Sequence, residues 1–298
     1  MRPFTASVLL FIMALGLSGC GQPSVATGDS EVLEVWVSLP PQATLVEAVG
    51  GDHVQVSVMV RPGQSPETYS PGVPQMAALA EADLYFGIGI PLERQILQRI
   101  ERSMPRLTFV QTAEIVEHAH EGDVHEHGDA GACAFGDKDP HVWMDPVWVI
   151  AFVEQVEAAL GAARPELAEY FGENAAALKQ ELRALDSDLS EQLAPYKGRA
   201  FYINHPSLGH FARRYGLVQR SIEQGGSAPS ARQVAQLVES ARSDRVGAVF
   251  SQPEFGRSSV DVLAQALAVD VITLDVLSAD YFENMRAVAN RLEESFAE

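Results

Sequence analysis

A run of leucines at helical spacing in the middle of the chain constrains the fold more than any other feature. From Glu166 to Leu193 the sequence is long enough for about eight helical turns, and Gly172 is its one glycine. Charged residues occupy the face opposite the leucines, as in an amphipathic helix with one buried face. The leucines of the buried face are Leu178, Leu182, Leu185, Leu189 and Leu193. We therefore expect residues 165–195 to form a rigid connecting helix.

Short β-type segments alternate with helical patterns on both sides of this helix. Val54 to Val60 before it is an alternating, Val-rich strand pattern, and Val246 to Ser251 after it is also a predicted strand. Ala231 to Ser243 is a helical pattern with Ser230 as its N-cap. Such alternation predicts parallel sheets with helices on their faces. The predicted fold class is therefore α/β, with two lobes that each hold a parallel sheet and are joined by the long helix. The predicted lobes are residues 32–164 and 196–298.

The N-terminal residues resemble a bacterial lipoprotein signal. Arg2 precedes the short apolar run from Val8 to Leu17, which is followed by Ser18-Gly19-Cys20. The pattern is similar to a lipobox, whose cysteine becomes the lipidated first residue, although an ordinary signal peptide with a chance cysteine is the alternative. We expect residues 1–19 to be a signal peptide, Cys20 to carry lipid and residues 20–31 to form a tether. The protein would then lie in the periplasm or at the cell surface, anchored to a bacterial membrane.

An acidic, histidine-rich stretch occupies residues 117–129. It reads E-H-A-H-E-G-D-V-H-E-H-G-D, and no Lys or Arg occurs between Leu107 and Asp137. Imidazole beside carboxylate suits a borderline divalent cation such as zinc, whereas a solvated acidic loop with incidental histidines is the alternative. We expect an accessory loop that collects metal. Its histidines are His118, His120, His125 and His127.

Charge and cysteine content exclude two classes of protein. The chain has 21 Lys and Arg against 40 Asp and Glu, a net charge of −19. Nucleic acid is therefore not an expected partner, because binding to phosphates needs a basic face. With Cys20 lipidated, Cys133 would have no partner within the chain, so a disulfide-stapled fold is excluded.

Four metal-ligating side chains follow predicted strands. Ligand sites of such α/β folds lie at the carboxyl ends of strands, where the lobes face each other. Two neutral imidazoles and two carboxylates would balance a divalent charge and give four-coordination. Metal would compete with protons for the imidazoles, so affinity is expected to fall below about pH 6.5. The four candidate ligands are Glu67, His141, His205 and Asp275.

The order of motifs from about residue 33 to residue 296 resembles the zinc/manganese solute-binding proteins of ABC transporters. The motifs are Ser65-Pro66-x-x-Tyr69, Asp139-Pro140-His141-Val142-Trp143-Met144-Asp145-Pro146, Asn204-His205-Pro206 and Leu274-Asp275. The resemblance implies two lobes, a long connecting helix, little hinge motion and a metal ion in the cleft. It also implies a monomer that captures the ion without catalysis and delivers it to a membrane permease.

One position departs from the family pattern. Glu67 stands where the family usually has histidine, and a carboxylate there favours manganese or ferrous iron. The histidine-rich stretch favours zinc, so we expect Zn²⁺ with Mn²⁺ as second choice. Whether Glu67 binds the ion directly or a water completes the shell stays open.

Two other functions are alternatives to that of a metal receptor for a transporter. A secreted zinc hydrolase would need an open coordination position and a general base, for which Glu254 is a candidate. No H-E-x-x-H spacing supports that reading. A receptor for a metal chelate would need a wider cleft. Gln252 and Glu254 are also candidates to hydrogen-bond a ligating imidazole, and His210 is expected to pack or support the site.

Overall fold

The computed structural model describes residues 32–112, 139–223 and 226–297. Val32–Glu298 forms one compact unit. The predicted signal peptide, Cys20, the tether, the histidine-rich stretch with its four histidines, and Cys133 lie outside the described residues.

The first sheet is built from four parallel strands in the order β2-β1-β3-β4. The chain passes to one side of β1 and then to the other, so the direction of winding reverses between β1 and β3. The strands are β1 Leu33–Val37, β2 Val54–Val58, β3 Leu84–Gly87 and β4 Thr108–Gln111, and the helices between them are α1 Pro40–Gly50, α2 Val73–Leu79 and α3 Pro91–Ser103.

The second sheet repeats the first, with the parallel order β6-β5-β7-β8. Its winding therefore reverses between β5 and β7. The strands are β5 Ala200–Ile203, β6 Val218–Ser221, β7 Ala248–Ser251 and β8 Asp270–Thr273. Two helices lie between the sheets in the chain, α4 Pro146–Ala163 and α5 Ala168–Leu193, and the second lobe adds α6 Gly209–Tyr215, α7 Ala231–Ser243, α8 Ser258–Leu267 and α9 Tyr281–Ala297. The predicted α/β fold with two parallel sheets and one long helix is confirmed.

Local signals explain where several elements begin and end. α7 spans the predicted residues, and the Ser230 side chain accepts a hydrogen bond from the Gln233 N–H as expected for an N-cap. The strand predicted from Val246 begins only at Ala248. Arg245 has a left-handed φ of 54°, and the Val246 N–H still bonds to the Ala241 carbonyl at the end of α7.

The long helix α5 buries its leucine face in a core shared by both lobes. Five leucines of the predicted face are buried, together with Phe171 and Ala175. One continuous cluster of buried apolar side chains contains this face, residues of β1 and β3, and Phe201 and Phe250 of the second sheet. A shared core resists separation of the lobes, because opening it would expose apolar surface to water.

An ion-pair network joins α5 to its neighbours. Arg214 of α6 bonds to Asp186 of α5 through Nε at 2.6 Å and through Nη2 at 2.5 Å. The same guanidinium lies 3.5 Å from Asp145, the N-cap residue of α4. The network therefore connects the second lobe, the long helix and the start of α4.

Helix α4 is long and apolar enough to cross a membrane by length and composition. Its buried residues, which include Trp148, Phe152 and Val156, belong to the shared core cluster. One face of α4 therefore packs into the core.

Truncation of the buried face of α5 tests its role in the core. Leu185 has no exposed surface, so Leu185→Ala should lower the free energy of unfolding by about 2–5 kcal/mol. Arg183→Ala on the exposed face is the matched control and should change it by less than about 0.5 kcal/mol. Denaturant unfolding followed by circular dichroism measures both, and equal values for the two variants would refute a packed leucine face.

Candidate metal site

His141 is held in one orientation by a buried carboxylate. It precedes the short 3-10 turn Val142–Met144 and is buried between the lobes. Its Nδ1 lies 2.7 Å from Asp139 Oδ1, which also accepts the His141 backbone N–H at 3.0 Å. Burial raises the pKa of Asp139, but interactions with His141 and the charge of His210 together outweigh it and lower that pKa to about 2. An ionised Asp139 keeps the proton on Nδ1, so Nε2 presents a lone pair.

His205 follows β5 and is fixed on several sides. Its Nδ1 lies 2.5 Å from Glu223 Oε1, and its ring stacks on Phe255 with centroids 4.4 Å apart. Gln252 accepts the His205 backbone N–H and donates its side-chain amide to the His205 carbonyl. This imidazole therefore has a fixed position, with Nε2 directed toward the first lobe.

Glu67 reaches His205 from the first lobe. It lies in the loop after β2, and its Oε1 is 2.8 Å from His205 Nε2. Burial lowers the pKa of His205, but hydrogen bonds to Glu223 and Glu67 and their charges raise it to about 9. At neutral pH the metal-free protein thus holds an imidazolium between two carboxylates, and a metal ion must replace its proton.

The two imidazoles meet at a distance that suits a metal ion. His141 Nε2 and His205 Nε2 are 3.3 Å apart. Two nitrogens of a tetrahedral zinc site, each about 2.0–2.1 Å from the ion, are separated by about 3.3 Å. The Glu67 contact at 2.8 Å is shorter, so direct ligation by Glu67 would require its carboxylate to withdraw by about half an ångström. Among the described residues, no group of three or more His, Cys, Asp and Glu side chains is already spaced to hold a metal ion.

The fourth candidate, Asp275, follows β8 but is exposed. Its Oδ1 accepts the Leu277 backbone N–H at 2.9 Å. The segment after it is tied to the first lobe, because Trp143 Nε1 donates to the Val276 carbonyl and Thr44 Oγ1 donates to the Ala279 carbonyl. The structure therefore brings Glu67, His141 and His205 together, whereas Asp275 stays a prediction as a ligand.

A small cavity surrounds the three converging side chains. Its volume of about 20 Å³ is room for one water-sized particle. Apolar side chains from both lobes form much of its wall, and the acidic wall residues are Glu67 and Glu254. Burial raises the pKa of Glu254, and the nearby Asp275 carboxylate adds to the rise. The wall residues that enclose the cavity without charge include Ile90, Pro91, Trp143, Phe255, Val276 and Leu277.

The carboxylates that orient the two imidazoles were not assigned from the sequence. Asp139 stands two residues before His141, a spacing that could have suggested the contact, and Glu223 follows β6 just as His205 follows β5. Gln252 supports His205 through the backbone and not through the ring as considered above. His210 is buried, and its Nε2 contacts the Asp139 carbonyl at 3.0 Å.

Two lobes that each hold a parallel sheet, a long connecting helix and a small cavity lined by His and Glu side chains from both lobes define a two-lobed, helix-linked α/β protein. The chain belongs to the ZnuA family, described as zinc-uptake complex component A, periplasmic, whose model matches residues 35–295.

Comparison with individual proteins agrees with this membership. The crystal structure of ZnuA is similar with a TM-score of 0.79 and 32% sequence identity, over 89% of this chain and 99% of that chain. The manganese-binding lipoprotein MntA of Bacillus subtilis (strain 168) is 28% identical over 274 residues, 89% of this chain and 85% of the relative. The zinc-binding lipoprotein AdcA of Streptococcus pneumoniae serotype 4 is 27% identical over 292 residues, which are 95% of this chain but only 57% of that relative.

Metal binding should depend on pH through His205. Because the pKa of His205 in the metal-free protein is raised to about 9, its proton opposes binding at every lower pH. Zinc affinity should fall about tenfold per pH unit between pH 9 and pH 7. Zinc affinity should therefore begin to fall at a higher pH than the value of about 6.5 expected for an ordinary imidazole. Isothermal titration calorimetry in buffers of different ionisation enthalpy should detect about one proton released per ion from this group.

Glu223→Gln is the matched variant for this test. It removes a carboxylate that raises the pKa of His205, so the onset of the pH dependence should move to lower pH. An affinity that stays constant from pH 9 to pH 7 would contradict the imidazolium between two carboxylates.

Proposed function

We propose that this chain is the extracytoplasmic solute-binding component of a metal ABC importer, which captures Zn²⁺, with Mn²⁺ as second choice, and delivers it to a membrane permease. The observation that carries the proposal is the meeting of Glu67, His141 and His205 from two lobes, with both Nδ1 atoms held by carboxylates. The metal ion is the cargo of such a protein.

The size of the cavity favours a bare ion over a larger ligand. A volume of about 20 Å³ accommodates a dehydrated ion, whereas an organic chelate needs several hundred cubic ångströms. Ligation by four protein groups would also leave no position for a water nucleophile, which a zinc hydrolase requires. We therefore favour a receptor without catalytic activity.

The choice between zinc and manganese rests on the donor set. Two imidazoles suit zinc, and the Glu67 carboxylate makes the site harder and more acceptable to manganese. Relatives named for each metal have similar identity to this chain, 27% for the zinc-binding protein and 28% for the manganese-binding protein. Sequence identity to these two relatives therefore does not distinguish zinc from manganese. The paired imidazoles make zinc our first choice.

The remaining parts of the proposal concern export, membrane attachment and domain boundaries, and they are based on the sequence. We propose a signal peptide over residues 1–19, lipid attachment at Cys20 and a tether over 20–31, which would anchor the protein to a bacterial membrane. A monomer with lobes over 32–164 and 196–298 and the connecting helix over 165–195 completes the proposal. The accessory histidines at 117–129 would collect zinc near the cleft.

Removal of either imidazole tests the function. His141→Ala and His205→Ala should each abolish tight binding of one ion per chain, because each removes a donor that is fixed by its own carboxylate partner. His53→Ala, in which the lost ring packs on Tyr170 and Phe171 and is not among the residues that line the cavity, is the matched control.

Native mass spectrometry of protein titrated with zinc and manganese in competition measures stoichiometry and preference together. If both His141→Ala and His205→Ala kept native affinity, the cleft site would be refuted. If His53→Ala also lost tight binding, the assay would be reporting loss of folding instead of loss of a ligand.

A further inference from the structure

Glu254 occupies a position in the cavity that the ligand assignments above do not use. It lies just after β7 and lines the cavity together with Glu67, His141 and His205. Its Oε2 is buried and has no hydrogen-bond partner among the described residues. A buried carboxylate oxygen without a donor is unfavourable, so its presence requires an explanation.

The backbone around Glu254 is fixed to His205. Gln252 makes two hydrogen bonds to the His205 backbone, and the Phe255 ring stacks on the His205 ring. Glu254 lies between these two residues in the chain and lines the same cavity as His205. This part of the chain also lies where the winding of the second sheet reverses, because His205 follows β5 and Glu254 follows β7. Ligands of open parallel sheets bind at such a point.

The acidic residues that line the cavity favour binding of a cation. None of the described residues that line it is Lys or Arg, although two of them, Glu67 and Glu254, are carboxylates. Two carboxylates with two neutral imidazoles balance a divalent ion. Asp275, by contrast, is exposed and uses Oδ1 to accept the Leu277 N–H.

We propose that Glu254 supplies the fourth protein ligand of the cleft, through the Oε2 atom that has no partner in the metal-free protein. The proposal rests on the proposed function, since it completes the site formed by Glu67, His141 and His205. The ion would then be held by one imidazole and one carboxylate from each lobe. Asp275 would remain outside the coordination shell.

Paired isosteric variants distinguish the two carboxylates. Glu254→Gln should weaken zinc binding by more than about a hundredfold, beyond the range of about 10–100-fold found when only a supporting partner of a ligand is lost. Asp275→Asn should weaken it by less than about tenfold. Competition with a chelating dye gives both affinities on the full-length protein.

Cobalt substitution provides a readout that a structural role would not change. The visible absorption of Co²⁺ reports the number and type of its ligands, so Glu254→Gln should change the position and intensity of the bands whereas Asp275→Asn should leave them unchanged. The melting temperature of metal-free Glu254→Gln should be equal to or higher than that of the wild type, because the variant removes a buried carboxyl group whose Oε2 has no hydrogen-bond partner.

The outcomes separate this proposal from the proposed function. Wild-type protein that binds no zinc, or full binding in both His141→Ala and His205→Ala, would overturn the proposed function itself. Wild-type binding that depends on His205, combined with an unchanged affinity and cobalt spectrum in Glu254→Gln, would overturn only the assignment of Glu254. If Asp275→Asn alone weakened zinc binding and changed the cobalt spectrum, the fourth ligand would be Asp275.

Discussion

The close approach of two imidazole nitrogens from separate lobes is the constraint on which the rest of this structure depends. His141 Nε2 and His205 Nε2 lie 3.3 Å apart although 64 positions separate them in the chain. Displacement of one lobe by an ångström would destroy a distance suited to one shared ion. The buried leucine face of α5, the core cluster that extends through both sheets and the contacts of Arg214 with Asp186 and Asp145 all oppose such a displacement.

Carboxylates perform two different tasks around these rings. Asp139 and Glu223 bind the Nδ1 atoms and thereby direct each Nε2 into the cavity. Glu67 faces the Nε2 side of His205 and stabilises its protonated form in the absence of metal. The metal-free protein therefore stores a proton where the ion is proposed to bind. Exchange of that proton for a metal ion would couple capture and release to pH without a large movement of the lobes.

Much of the fold could be predicted from the sequence because its signals are local. The leucine spacing of α5 and the N-cap Ser230 of α7 depend only on neighbouring residues, and both are confirmed. The expectation that Glu67, His141 and His205 share one region followed from the rule that parallel strands present their carboxyl ends at one edge. The structure brings these three side chains into contact.

The partners of the imidazoles could not be predicted in the same way. Contacts such as Glu223 with His205 depend on how adjacent strands align in three dimensions, and no local pattern encodes that alignment. The same reason separates Asp275, which is exposed, from Glu254, which lines the cavity, although both follow strands of the second sheet. Which strand-end carboxylate enters the cavity is decided by the loop that carries it.

A crystal structure of the one-to-one zinc complex, with anomalous differences measured at the zinc edge, tests the account most directly. We expect one strong peak in the interlobe cavity, within about 2.1 Å of Nε2 of both His141 and His205. The strongest peak at any other place, or a peak in the cavity bound by only one of these two imidazoles, would contradict it.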